Sequence, residues 1–552
     1  VMDSGAVGTI IWIVSFVVVT VAVTGFSGKL GWSAPVSLVA IGAVVSFIPG
    51  VPHIEIEADL ILYGLLPPLL FAAAIRTSLI DIRARGDSIL LLSIGLVAFT
   101  FLTVGLTVWA VVPGITLAAG LAFGAVIAPT DAVAVMAISG RLRLPRRLVT
   151  ILEGESLLND AVALVALNAS IAAIVSVVNP GTVAIDLVIA VVVGAGVGLL
   201  VGWLFSEIRR RLNSAVLDTG LSLVLPYIAF IPAQLLHGSG VLAVVLAGLL
   251  LGYRSPAIQS AEARIAEGIN WRTIRFLLEN AVFLLIGLSL AGIVEAAVKI
   301  APDLWQMILI SIVVLLAVLL SRVIWVGIST SIYRFGPARL RERSWGWNNG
   351  IAVAVAGMRG VVTLAAVFLL PDETPGRALL QLLAFVVIAG TLLGGLFLPR
   401  IIRLLKLPAP NAMQEQTQRR LLVAEAREAG LERLEQEPTD DDDDAVIERL
   451  RLDSEFIRES VDLPEEGSMD RLASYARLRR SMISAEREAV RIARAEGRYE
   501  EYAVRAVLAS IDAEELALKV SSPPSPPREK LITRPPEEAP SRRSGSARAP
   551  RA

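Results

Sequence analysis

Asp160 closes the run Glu153-Gly154-Glu155-Ser156-Leu157-Leu158-Asn159-Asp160, set in a stretch otherwise apolar enough to cross a bilayer. An ionisable group at the bilayer centre costs roughly 2.5–3.5 kcal/mol even on lenient insertion scales, so each one requires a function or a partner. At about 100° per residue, Ser156 and Asp160 share a helix face with Glu153 a further turn back, while Glu155 and Asn159 form a neighbouring stripe. A carboxylate, a hydroxyl and an amide within reach of one point suit a hard cation, which prefers oxygen to nitrogen or sulfur. Thr130, in Ala128-Pro129-Thr130-Asp131, offers a second hydroxyl, and a backbone broken at Pro129 would add carbonyls. The expected ligands of a small cation are therefore Asp160, Ser156 and Thr130. The same carboxylate can carry a proton instead. If the site changes its exposed side only when Asp160 is neutralised by one or the other, the gradient of one ion drives the other. With Asn159 beside it in place of a second acid, the simplest exchange is one cation per proton, which is electroneutral.

Further charges interrupt apolar runs. Arg359 lies in Gly357-Met358-Arg359-Gly360, and Glu279 lies in a run near 273–293. Arg359 and Glu155 are expected to form a buried ion pair, because an unpaired guanidinium at that depth is very costly. Asp131 is expected to compensate the positive N-terminal end of a half-helix begun near a break. Glu153 and Glu279 complete the set of supporting buried charges.

The elements that must hold these groups are membrane helices. The chain has 552 residues, 55% hydrophobic and 18% charged, too apolar for a water-soluble protein of this size. Apolar runs of spanning length occur near 6–26, 32–49, 58–76, 88–112, 115–139, 148–176, 182–207, 216–235, 238–254, 273–293, 303–331, 347–370 and 377–405. Arg and Lys crowd the loops after odd-numbered runs, so about thirteen spans with an outside N-terminus and a cytoplasmic C-terminus are predicted. The first run follows no basic segment and precedes no small-residue cleavage site, and so reads as a retained span. Six spans, a seventh and six more would form two inverted six-helix repeats, with the fifth and twelfth spans broken at Pro129 and at Gly357–Gly360 and crossing at mid-membrane. The expected fold is thus an all-α integral membrane domain over 1–405, followed by a charged helical cytoplasmic tail over 406–520 and a disordered segment over 521–552. The five-residue run Asp440–Asp444 reads as a solvated linker, since its spacing matches no EF-hand loop. With no cysteine and only His53 and His237, thiolate and histidine-rich metal centres are excluded. No cofactor and no nucleic acid are expected. An intramembrane hydrolase using Ser156 finds no histidine at a suitable depth, and a sensor signalling through its tail leaves the buried carboxylates unexplained.

Pro129-Thr130-Asp131-Ala132-Val133-Ala134-Val135, Gly154-Glu155-Ser156-Leu157-Leu158-Asn159-Asp160 and Gly357-Met358-Arg359-Gly360 together resemble the monovalent cation/proton antiporters that include bacterial and animal sodium/proton exchangers. The resemblance runs over about residues 6–405. Its Asn-Asp pair is similar to that of the branch regarded as electroneutral. The resemblance implies exchange of sodium, or of lithium or potassium, for protons across the plasma membrane, linked to pH homeostasis and salt tolerance. It further implies a homodimer, in contact with membrane lipids, whose six-helix core moves as an elevator-like body. By matching position, Asp160 is the essential ion- and proton-binding acid, Ser156 and Thr130 are ligands, Asn159 and Asp131 shape the crossing helices, and Glu155 with Arg359 forms a buried pair. Asn280 also falls in a family segment. Ala72 stands where the family often has Glu, which leaves the ranking of cations open. For the tail three roles stay open from its sequence: sensing pH, binding a partner such as a regulator, or touching anionic lipid.

Overall fold

In a computed structural model the described residues are 4–30, 34–49, 59–132, 135, 144–175, 180–300, 303–341, 346–407, 412–436, 443–462, 465–496 and 501–521. They form an all-α protein in two units, Val1–Pro410 and Asn411–Ala552. The second half of the predicted fifth span and nearly all of 521–552 lie outside the described residues.

The helices of the first unit are α1 (Ser4–Leu30), α2 (Ala34–Ser46), α3 (Leu66–Ala74, preceded by a π-helical segment at Leu60–Leu65), α4 (Gly86–Val111, with a π-helical turn at Leu91–Leu96) and α5 (Leu117–Ile127). Then come α6 (Arg146–Val175), α7 (Pro180–Arg210), α8 (Ala215–Leu235), α9 (Gly240–Ile258) and α10 (Ala261–Leu288). Further on lie α11 (Leu304–Phe335), α12 (Gly346–Val355), α13 (Val361–Phe368) and α14 (Arg377–Gly395), with shorter helices at Leu79–Ala84, Leu290–Ile300, Ala338–Arg341 and Leu398–Leu404. Among the described residues eight helices are long and apolar enough to cross a membrane, and four shorter apolar ones accompany them. The protein is an integral membrane protein.

Hydroxyl and carboxylate caps start many of these helices. Thr116, Ser239 and Ser260 accept from the backbone N–H three residues on, at 3.2 Å each, and Asp303 accepts from Trp305 N. Each occupies one of the donors a helix start leaves open. Small residues then bring backbones together where apolar bulk would hold them apart. Gly42 on α2 meets Gly287 on α10, Gly198 on α7 meets Ala243 on α9, and Gly105 on α4 meets Gly120 and Gly124 on α5. A Cβ at any of these would fall within 3 Å of its neighbour's backbone.

The most closely packed pairs fall into two sets. One joins α2 with α10, α3 with α9, and α7 with α9; the other joins α4 with α5 and α11, α5 with α6, and α11 with α12. The tenth predicted span, expected from 273, is part of a helix that begins at Ala261, because Ser260 caps it there.

The second unit contains α15 (Ala412–Gln436), α16 (Asp444–Asp462), α17 (Glu465–Ala495) and α18 (Glu501–Ser521). Asp443 caps α16 by accepting from Ala445 N at 2.8 Å, so the acidic run contributes a helix start. α17 and α18 pack together through Ile483, Ile511 and Leu518, with Arg479 on both carboxylate oxygens of Glu514 at 2.6 Å and Arg487 between Asp512 and Glu515.

Candidate functional site

Pro129 and the Gly357–Gly360 segment each interrupt a helix, and the interruptions lie against one another. Helix α5 ends at Ile127, and α12 and α13 flank an irregular stretch from Ala356 to Gly360. A broken helix leaves carbonyls at one end and N–H groups at the other without helical partners. Here each break supplies partners to the other. Asp131 N donates to Met358 O at 2.8 Å, Arg359 Nε to Ile127 O at 3.1 Å, and Thr363 Oγ1 to Pro129 O at 3.4 Å.

Charges sit where the partial charges of these helix ends call for them. Arg359 meets the carbonyl end of α5, and its Nη1 donates to Gly357 O at 2.6 Å. Arg322 donates twice to Val353 O, at 3.1 and 2.8 Å, in the last turn of α12. Asp131 lies at the N-terminus of α13, so close to Gly360 that a Cβ there would stand 1.9 Å from Asp131 Oδ2. The carboxylate occupies the space a side chain would take, which is why only glycine fits.

Helix α6 passes behind the breaks. Glu155, wholly buried, accepts from Arg322 Nη1 at 2.6 Å, from Arg322 Nη2 at 3.2 Å and from Thr130 Oγ1 at 2.8 Å. The expected pairing of Glu155 with Arg359 is therefore corrected: Arg322 of α11 takes the carboxylate with a two-pronged grip, and Arg359 is satisfied by backbone carbonyls. Arg322 was missed although it interrupts the apolar run 303–331, the same signal that singled out Arg359. Asn159 Nδ2 donates to Thr130 O at 3.2 Å and to Thr130 Oγ1 at 3.0 Å, and Ala132 N donates to Ser156 Oγ at 3.2 Å. Thus Thr130 is held on two sides by α6.

Asp160 is 8% exposed and lines a cavity of about 470 Å³ together with Thr130, Asp131 and Ser156. The opposite wall comes from α3 through Leu69, Leu70 and Ala73, and from α10 through Arg275, Phe276 and Glu279. The two walls belong to the two packing sets. Asn159, expected at the ion site, is not among the lining residues and instead lies behind Thr130. Two of the expected buried charges differ as well. Glu153 is exposed, one turn before Ser156 on the same cavity, and Glu279 is half-buried and held by Arg275 Nε at 2.6 Å. Arg275 and Arg272 also line the cavity, from within α10. Asn280 is buried and donates to Phe276 O, and Ala72 is wholly buried in the core.

A second buried cluster also escaped the sequence reading. Arg209 binds Asp218 at 2.6 Å and Glu267 at 2.7 Å, and Gln259 donates to both acids. It ties together the ends of α7, α8, α9 and α10.

Residues 14–404 match the family model described as sodium/hydrogen exchanger, transmembrane. The chain is 30% identical over 536 residues to an uncharacterized Na(+)/H(+) exchanger of Mycobacterium tuberculosis, covering 94% of this chain and 97% of that one. It is 30% identical over 373 residues to the sodium, potassium, lithium and rubidium/H(+) antiporter of Bacillus subtilis, covering 65% of this chain and 56% of that protein. Among solved structures, the sodium proton antiporter MjNhaP1 from Methanocaldococcus jannaschii has a similar fold, with a TM-score of 0.57 at 18% identity over 73% of this chain and 99% of that one.

Proposed function

The chain belongs to the sodium/hydrogen exchanger family, and on that premise we propose that Asp160 is the carboxylate for which a monovalent cation and a proton compete. The protein is a secondary active transporter, not an enzyme, and it exchanges sodium or a related monovalent cation for protons. Asp160 carries the assignment because it is a buried acid on the cavity wall, whereas the equally buried Glu155 is neutralised by Arg322. Ser156 Oγ and Thr130 Oγ1 stand on the same wall as further oxygen ligands, with Asp131 beside them and Asn159 fixing Thr130. Either occupant neutralises Asp160, and neutralisation permits the site to change sides. One cation moves per proton, so the cycle is electroneutral.

The cavity lies where α4–α6 and α11–α14 face the remaining helices, and the first group is the body that moves. Thirteen spans, in two inverted repeats around the broken helices, place the N-terminus outside and the C-terminus in the cytoplasm of a plasma-membrane homodimer, with residues 406–520 as a tail that meets a regulator. Sodium is the expected cargo. Potassium and lithium form a second reading, favoured by the four ions in the name of the Bacillus subtilis relative and by Ala72 in place of an acid.

Proteoliposomes with a trapped pH dye test the assignment. Sodium added outside dissipates a pH gradient with the wild-type protein and leaves it intact with Asp160→Ala; equal activity in the two would refute the role of Asp160. Lithium and potassium, added in turn, rank the cations.

A further inference from the structure

Helix α17 carries two apolar seams, of which α18 covers one. Ala476, Ile483 and Ala493 are buried on the covered side, where Ile483 packs with Ile511 and Leu518. On the other side Tyr475, Leu478, Met482 and Ile492 are 50%, 53%, 55% and 43% exposed, and Ala485 and Ala489 between them are exposed too. These six positions advance by alternating steps of three and four residues. A repeat of 3.5 over about 26 Å is the signature of a helix that packs along another helix. It does not suit a small ligand, which needs a concave site. Glu486 and Glu488 lie beside the seam among Arg477, Arg479, Arg480, Arg487 and Arg491, so the flanks carry charges of both signs that a second helix of the same sequence can answer.

We propose that this seam is an interface taken by the same seam of a second copy of the chain, the two helices running antiparallel. A two-fold axis between Met482 and Ala485 sets Met482 against Ala485 of the partner subunit, Leu478 against Ala489 of the partner subunit, and Tyr475 against Ile492 of the partner subunit. Large side chains thus meet small ones at the centre, which is how facing helices interdigitate. The same axis brings Arg479 toward Glu486 of the partner subunit, an opposite-charge pair beside the seam. Arg479 is already 2.7 Å from its own Glu486, so the two copies join one charged network. The apolar match and the charge match both arise from one sequence facing itself.

The chain has no cysteine, so single cysteines report contacts without background. Full-length Met482→Cys and Ala485→Cys, carrying different tags and coexpressed, are oxidised in proteoliposomes. A mixed disulfide-linked dimer is expected, at least tenfold above that from Ser484→Cys, which lies off the seam. Adding Leu478→Glu to both chains should abolish the link while leaving sodium–proton exchange unchanged. Cross-linking no greater than with Ser484→Cys overturns the proposal. Quenching of a fluorophore at Leu478→Cys by nitroxide-bearing lipid overturns it equally, because the membrane would then cover the seam.

Discussion

Glu155 shows how one side chain can be indispensable without touching the cargo. It is wholly buried, and its charge is balanced by an arginine from a helix distant in sequence and by the hydroxyl of Thr130. Removing one member of such a pair strands the other, at about 3–5 kcal/mol. Arg322→Met and Glu155→Gln should each lower the thermal midpoint of the detergent-purified protein. The double variant should recover much of that loss, because no uncompensated charge remains; equal additive losses would contradict the pairing. Gly360 makes the complementary case. Ala there drives its Cβ into Asp131, so Gly360→Ala should cut exchange by an order of magnitude or more in the dye assay, while Gly430→Ala, with open space around it, should leave it unchanged.

At the scale of elements, the broken helices depend on one another more than on their own sequences. Arg359 satisfies Ile127 O and Gly357 O, and an unpaired buried carbonyl costs about 1–3 kcal/mol. Arg359→Met should therefore speed amide hydrogen exchange at both breaks at once, at 127–131 and at 356–360. Acceleration at 356–360 alone would mean that the two breaks are not coupled. In the second unit, the Arg479 guanidinium holds Glu514 below the usual carboxylate range, and Arg491 does the same for Glu488. A carboxyl group with a lowered folded pKa adds stability above its unfolded pKa and loses it as pH falls through the folded one. Protection of the amides of α17 and α18 in the full chain, taken relative to the intrinsic exchange rate at each pH, should therefore be high at pH 7 and fall below about pH 4; unchanged protection there would show that the ion pairs contribute nothing to the hairpin.

The whole molecule sets the cavity between two groups of helices, each sealed internally by close glycine contacts. On the proposed exchange cycle these groups move as bodies, and the cavity between them is the place where a site would open to one side or the other. If a proton and a cation share Asp160, then wherever protons dominate the site, each unit fall in pH multiplies the proton concentration tenfold and the apparent KM for the cation by about the same factor, with the maximal rate little changed at saturating cation. Initial rates at several sodium concentrations from pH 6 to 9 measure this. A KM that stays flat while the maximal rate falls would point to regulation elsewhere and not to competition.

Much of this was legible along the chain because some constraints are local. Hydropathy and length identify membrane helices, since every backbone polar group in lipid must be satisfied within its own segment. Pro129 and the paired glycines mark the breaks, and one helical turn is enough to place Ser156 on the face of Asp160. What the sequence could not decide is which charge answers which. Glu155 has Arg359 and Arg322 as equally plausible partners by cost alone, and the choice falls to Arg322 because the crossing of the breaks commits Arg359 to the carbonyls of Ile127 and Gly357. The Arg209 cluster was unreadable for the same reason, since its members come from four helix ends that only packing brings together. Types of side chain follow from the solvent around each segment, whereas partners follow from the contacts between segments far apart in sequence, and those exist only in the folded protein.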